Sequence, residues 1–226
     1  MLSPPAQTDA VLLQSTYARR FAGQERRRAE VWNVLTRSFL NRWISINDSV
    51  LDLGAGYCEF INAVEAKTRF AIDANPATRI HAAAGVAVLT QDIRDSWNIT
   101  DSSLNVVFTS NFLEHLPTKS DLLHCLREAR RVLRPKGKLI LLGPNIRFAY
   151  REYWDYFDHA LPLTDRSLVE ALDLGGFAPV LIIPRFLPYT LRSNLPSHPW
   201  LLRLYLELPA LWALFGKQFL IVASTI

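Results

Sequence analysis

The chain has 226 residues, half of them apolar and a fifth charged, with a formal net charge of +4. A chain of this length suits one domain plus an accessory element and buries roughly 70% of its unfolded surface, so a core needs neither disulfides nor metals. Cys58 and Cys125 lack C-x-x-C spacing, which argues against a disulfide scaffold or a cysteine zinc site and for a reducing cytoplasm, while the apolar fraction argues against disorder.

Charge is uneven along the chain. Residues 1–45 carry seven Arg against three acids, and residues 184–226 carry four basic residues against Glu207. The stretch between them holds fourteen basic and seventeen acidic residues. Basic ends favour anionic partners, although Arg26 to Arg28 read equally well as a solvated helix face. Met1 to Leu13 hold Pro4, Pro5 and Asp9 with no basic residue ahead of the short apolar run, so no secretory signal is expected there. No eighteen-residue uncharged apolar stretch offers a membrane span.

Two helical patterns come first, Val11 to Phe21 and Gln24 to Trp43, the second with Val31, Leu35, Phe39 and Trp43 at spacing four. Strand and helix then alternate, as in a parallel α/β sheet. Strands are expected at Ser49–Leu53, Arg69–Asp73, Val86–Thr90, Leu104–Ser110 and Lys138–Gly143. The clearest helix runs from Thr118 to Leu133, opened by a Thr118/Asp121 capping box and ended by Arg134 and Pro135. Another starts at Thr164 and Asp165 and stops at Gly175 and Gly176. Strands at Phe177–Ile183 and Gln218–Ala223 close the pattern. Between them lies a proline-punctuated insertion, 184–216, with more apolar residues than a connecting loop needs.

The chemistry concentrates after the first strand, in Val50-Leu51-Asp52-Leu53-Gly54-Ala55-Gly56-Tyr57-Cys58-Glu59-Phe60. A buried strand runs into a glycine turn and a helix start, where exposed amides suit a nucleotide-like ligand. Asp52 faces the place where a dinucleotide enzyme holds pyrophosphate, and Glu59 stands at the third glycine of that fingerprint, so the turn repels phosphate and attracts a cation. Asp73 ends the second strand where a carboxylate takes ribose hydroxyls, and Gln91-Asp92-Ile93 follows the third strand beside an adenine. Adenine, ribose and a cationic amino-acid tail describe S-adenosylmethionine.

These segments, with Asn105-Val106-Val107-Phe108 leading to Ser110-Asn111-Phe112-Leu113-Glu114-His115-Leu116 and the run LREARRVLRPKGKLILLGPN, resemble the class I S-adenosylmethionine-dependent methyltransferases, in the type-eleven small-molecule group. The resemblance covers roughly residues 49–177. It implies an α/β, Rossmann-like seven-stranded class I methyltransferase fold, with a mostly parallel sheet, the last strand antiparallel, N-terminal helices and an apolar insertion before the last strand. It implies that Asp52, Gly54 and Gly56 surround the methionine end, Asp73 and its neighbour Ala74 meet the ribose, Asp92 and Ile93 border the adenine, and Ser110 and Asn111 flank the sulfonium. Tyr57 reads either as a cover over the cofactor or as packing. Cys58 departs from the family, which often has a third glycine there. Residues 1–45 would form a helical lid over a domain spanning 46–226, with Tyr17, Arg20 and Phe21 as lid candidates.

Methyl transfer to a hydroxyl asks for a base. The expected one is His159, in the aromatic segment Tyr153 to His159, ahead of His115, with Asp155 and Asp158 as further candidates. The five His show no H-x-x-x-H or H-E-x-x-H spacing, so no metal is expected. The segment Asn111-Phe112-Leu113-Glu114 lacks the Asp/Asn-Pro-Pro-aromatic tetrapeptide of amino-directed nucleic-acid enzymes, and no Pro-Cys nucleophile exists, so nucleic acid is not the expected partner. The expected acceptor is a small molecule, such as a sugar or lipid-linked intermediate. The expected location is the cytoplasm, with 184–216 meeting the acceptor, a second subunit or the inner membrane surface. A nucleotide-cofactor reductase and a non-catalytic scaffold at a membrane surface are the competing readings.

Overall fold

The computed structural model describes residues 23–189 and 199–226; the expected helix Val11 to Phe21 and the lid candidates Tyr17, Arg20 and Phe21 lie outside them. Seven strands, β1 (Ser49–Leu53), β2 (Thr68–Asp73), β3 (Val86–Thr90), β4 (Leu104–Ser110), β5 (Leu133–Pro144), β6 (Phe177–Ile183) and β7 (Gln218–Thr225), form one sheet. Their order is β3-β2-β1-β4-β5-β7-β6. β7 runs antiparallel to both neighbours, and the other pairings are parallel.

Around the sheet lie α1 (Glu25–Ser38), α2 (Glu59–Ala63), α3 (Thr78–His81), α4 (Lys119–Val132), α5 (Ile146–Ala149), α6 (Asp165–Leu174), α7 (Pro199–Glu207) and α8 (Pro209–Phe215). Alternation along each strand explains the two-sided core, because successive side chains point to opposite faces. Leu51, Leu53, Val107, Leu139, Leu141 and Ile221 face α4 and α6. Val50, Val106, Phe108, Ile140, Leu142 and Leu220 face α1, α2 and α7.

The capping box Thr118/Asp121 forms, and a second one pairs Thr164 with Ser167. α6 ends at Gly175, followed by Gly176 at φ +80°. β5 begins five residues earlier than its hydrophobic run suggests. α4 stops at Val132, and Leu133 already pairs with Leu104 before a register shift. Arg134 precedes proline, which disfavours helix and extends the chain there.

The insertion is not a free cap. Its aromatic residues turn inward: the Tyr205 hydroxyl donates to the Phe186 carbonyl at 2.6 Å, and Trp212 Nε1 donates to the Tyr205 carbonyl at 2.8 Å. Phe39 leaves helical dihedrals just after α1 and lies 4.7 Å from the Phe186 ring and 5.5 Å from the Trp212 ring. Trp200, Leu204, Leu208, Leu214 and Phe215 remain exposed. Among the described residues no helix is long and apolar enough to cross a membrane.

Phe39 therefore joins the N-terminal helix to the insertion. Phe39→Ala is expected to cost about 3–5 kcal/mol, the range for deleting a buried ring. Urea unfolding measures it, and a loss below 1 kcal/mol would show that the two elements are held elsewhere.

Candidate active site

The turn after β1 is built by left-handed backbone. Gly54 and Gly56 have φ +72° and +51°, and Cys58, which caps α2, has φ +61°. That conformation explains why glycine suits position 58. Cys58 is fully buried and its thiol is pushed up to about 12, chiefly by burial, so it is not a nucleophile at neutral pH.

Three amides of this turn, expected from sequence to be exposed to a nucleotide-like ligand, are engaged within the protein. Gly54 and Ala55 donate to the Ile72 carbonyl, and Gly56 donates to Asp73 Oδ2 at 2.8 Å. Asn75 donates to Asp73 Oδ1, also at 2.8 Å. Two amides thus fix the Asp73 carboxylate, which burial pushes above the usual carboxylate range. Asp52 is 4% exposed and is raised well above that range, first by burial and then by the charges of Glu59 and Asp73. Glu59 meets Arg28 of α1 at 2.6 Å, with side chains 10% and 11% exposed. Arg28, read from sequence as one of a solvated trio, is a buried counter-charge.

The remaining expected positions divide between exposed and packed. Ala74 is exposed beside Asp73, and Tyr57 stacks on His81 at 4.1 Å. Asp92 is gripped by Arg94, which holds its carboxyl below the usual range. Ile93 is buried, and its carbonyl accepts from Trp97 Nε1.

At the end of β4, Asn111 sits at φ +48° and donates from Nδ2 to Ser110 Oγ at 2.8 Å. Next to it the Phe112 ring fills the space over Gly54, where a Cβ would come within 2.5 Å of the ring. The β4 loop and the β1 turn are therefore in contact.

A short 3₁₀ turn, Leu113–His115, follows, and the Glu114 carbonyl accepts from the Ala160 and Leu161 amides. These bonds bring 158–161 against the end of β4. His115 Nδ1 lies 3.0 Å from the Asp158 carbonyl and 3.4 Å from Asp158 Oδ2. The His115 and His159 rings are 4.9 Å apart, and His159 also stacks on Tyr156 and has Nδ1 3.4 Å from the Tyr189 hydroxyl. Glu114 is 3% exposed, and burial pushes its carboxyl up to about 7.

Both expected histidines therefore converge, Asp158 faces Nδ1 of His115, and Asp155 is exposed. Sequence reasoning missed Glu114, Tyr189 and Arg28. Glu114 was visible only as part of the E-H-L turn, and nothing in the spacing tied Tyr189 or Arg28 to the site.

Residues 51–141 match the family described as "Methyltransferase domain". Among proteins of curated function, none matches. Among solved structures, a chain of the Haloferax volcanii complex between the Trm112 methyltransferase activator and a methyltransferase is 18% identical, with a TM-score of 0.68 over 94% of this chain and 97% of that one. An S-adenosylmethionine-dependent methyltransferase from Archaeoglobus fulgidus is 20% identical, with a TM-score of 0.67 over 91% of this chain and 99% of that one. Geranyl diphosphate C-methyltransferase from Streptomyces coelicolor, seen with Mg²⁺, geranyl diphosphate and S-adenosyl-L-homocysteine, is 16% identical, with a TM-score of 0.57 over 81% and 75% of the two chains.

Two outcomes follow from the crowded carboxylates. Arg28→Ala is expected to destabilise the fold by about 3–5 kcal/mol, because it leaves the Glu59 charge buried without its partner; adding Glu59→Gln recovers much of the loss in urea melts. Asp52 has its pKa raised on folding, so it lowers stability increasingly as pH climbs through the ordinary carboxylate value toward the folded one. Asp52→Asn is therefore expected to raise the unliganded melting temperature at pH 7, by about 2–4 °C per kcal/mol of strain relieved. A lower melting temperature would mean that the charge is already compensated.

Proposed function

For a chain that is a class I S-adenosylmethionine-dependent methyltransferase, with residues 51–141 as its methyltransferase domain, we propose methyl transfer to a hydroxyl of a small molecule, a sugar or a lipid-linked intermediate. The observation that carries this reading is the His115/His159 pair, backed by Asp158, on a loop in contact with the acidic β1 turn.

The residues present fit the cofactor. Asp52, Asp73 and Glu59 against the one buried Arg28 leave the turn negative, which suits a cationic ligand. Asp73, pinned by two amides, keeps lone pairs for both ribose hydroxyls. Asp52 with Gly54 and Gly56 borders the amino-acid end, Ala74 lies beside the ribose, and Asp92 and Ile93 border the adenine. Ser110 and Asn111 flank the reacting centre. Bound there, the sulfonium supplies a methyl group that is already activated.

What the protein adds is alignment and proton removal. Holding acceptor and donor in line is worth roughly 7–11 kcal/mol. Asp158 fixes Nδ1 of His115, which places the ring's lone pair on Nε2, the nitrogen suited to take the hydroxyl proton. His159, walled by tyrosines, shapes the same pocket. The exposed apolar residues of α7 and α8 give the hydrophobic part of an acceptor, or a membrane carrying it, a surface to lie on, which favours a lipid-linked acceptor over a free sugar. Helix α1, whose Arg28 meets Glu59 beside the turn, would cover the cofactor side as a lid.

Asp73→Ala is expected to weaken S-adenosylmethionine binding by about 1–3 kcal/mol by calorimetry, and an unchanged affinity would remove Asp73 from the ribose. His115→Ala should slow turnover by about 10²–10⁴-fold with labelled donor while cofactor affinity stays within about twofold. A variant as active as the parent on a hydroxyl acceptor would move proton removal elsewhere.

A further inference from the structure

One carboxylate and two imidazoles meet where the acceptor loop turns. Glu114, His115 and His159 each offer a ligand atom, and the three atoms lie within 4.8 Å of one another. No spacing in the sequence foretells this, because His159 reaches the pair through the backbone bonds from Ala160 and Leu161 to Glu114.

We propose that Glu114, His115 and His159 bind one divalent cation of the borderline first-row kind, with Zn²⁺ as the reference. Ligand atoms at about 2.0–2.2 Å from such an ion stand roughly 3–4 Å apart, so rotamer adjustments of about an ångström close the set. Two imidazoles and a carboxylate favour Zn²⁺, Co²⁺, Mn²⁺ or Fe²⁺ over Mg²⁺, which prefers oxygen and water.

Outer contacts of the right kind are already in place. Nδ1 of His115 is held by the Asp158 carbonyl and carboxylate, and Nδ1 of His159 lies beside the Tyr189 hydroxyl. Metal-binding imidazoles commonly give their second nitrogen to such groups, which orients the first. The Glu114 carboxylate, buried against Gly143 of β5, makes no ion pair with Lys or Arg among the described residues. A cation at this point would add a counter-charge beside it.

Three protein ligands leave coordination positions open, as in catalytic rather than structural sites. Resting on the proposed methyl transfer, one open position would take the acceptor's hydroxyl oxygen and lower its pKa. With the cation bound, Nε2 of His115 serves as a ligand and the proton of the acidified hydroxyl passes to solvent; without it, the same Nε2 takes that proton.

The test uses the full chain stripped with a chelator, titrated with Co²⁺, Zn²⁺ and Mg²⁺, with S-adenosylmethionine binding measured on the same samples. One Co²⁺ per chain is expected, displaced by Zn²⁺. Ring signals of His115 and His159 should shift while those of His81 and His124 do not. Glu114→Gln and His159→Gln should each weaken Co²⁺ by at least about 100-fold, and Asp158→Asn by about 10–100-fold. The parent-chain ring signals decide the matter if a variant fails to fold. Absence of stoichiometric binding, unmoved His115 and His159 signals, or folded variants that bind as the parent does would overturn the site. Cation binding without any S-adenosylmethionine binding would instead sink the methyl-transfer reading and leave the site standing.

Discussion

Burying three carboxylates around one turn is the constraint on which the rest of the architecture depends. Asp52 lies on a central strand, Asp73 on its neighbour, and Glu59 opens the helix between them. Water screens none of them well, and a protein does not hold such a group without compensation. Part of the compensation is internal. Gly56 and Asn75 lend amides to Asp73, and α1 contributes Arg28 to Glu59. What remains is negative potential at the carboxyl edge of the sheet, where chain direction diverges between β1 and β4 and α/β folds place their ligands. A ligand with permanent positive charge would complement that potential, and without a counter-charge the crowding costs stability.

Much of this was legible in the sequence because it rests on local rules. Short apolar runs closed by polar or glycine residues located all seven strands, and β1, β3, β4 and β6 have their expected ends. The Thr118 and Thr164 caps follow from side-chain chemistry within one turn. β5 was read short because its first residues, around Pro135 and Gly137, carry no strand pattern; Leu133 pairs with Leu104, and the ladder resumes at Val106 and Lys138 after a register shift in which Lys136 takes φ +65°. The acidic turn was recognisable from Asp52, Glu59 and Asp73, but the fate of its amides was not. Whether an amide faces a ligand or a neighbouring strand is a tertiary matter.

The acceptor side was legible by residue type and illegible by arrangement. His115 and His159 lie 44 positions apart, and only backbone bonds from Ala160 and Leu161 to Glu114 bring them together. That Asp158 turns its carboxylate toward His115 was hidden for the same reason. The insertion was likewise read by composition as surface. Tyr205 and Trp212 carry polar atoms whose bonds to Phe186 and to each other turn those two rings inward with Leu206, leaving Trp200, Leu204, Leu208, Leu214 and Phe215 outside.

Phe39 and Arg28 sit at opposite ends of one stiff rod. Eleven residues of nearly continuous helix separate them, roughly 16 Å at 1.5 Å per residue. One end is wedged between Phe186 and Trp212, and the other is clamped to Glu59 in the cofactor turn. Such a rod transmits displacement with little loss. A displacement of the insertion would therefore reach the charge balance at the opposite end of the helix along α1, with no need for a path through the sheet.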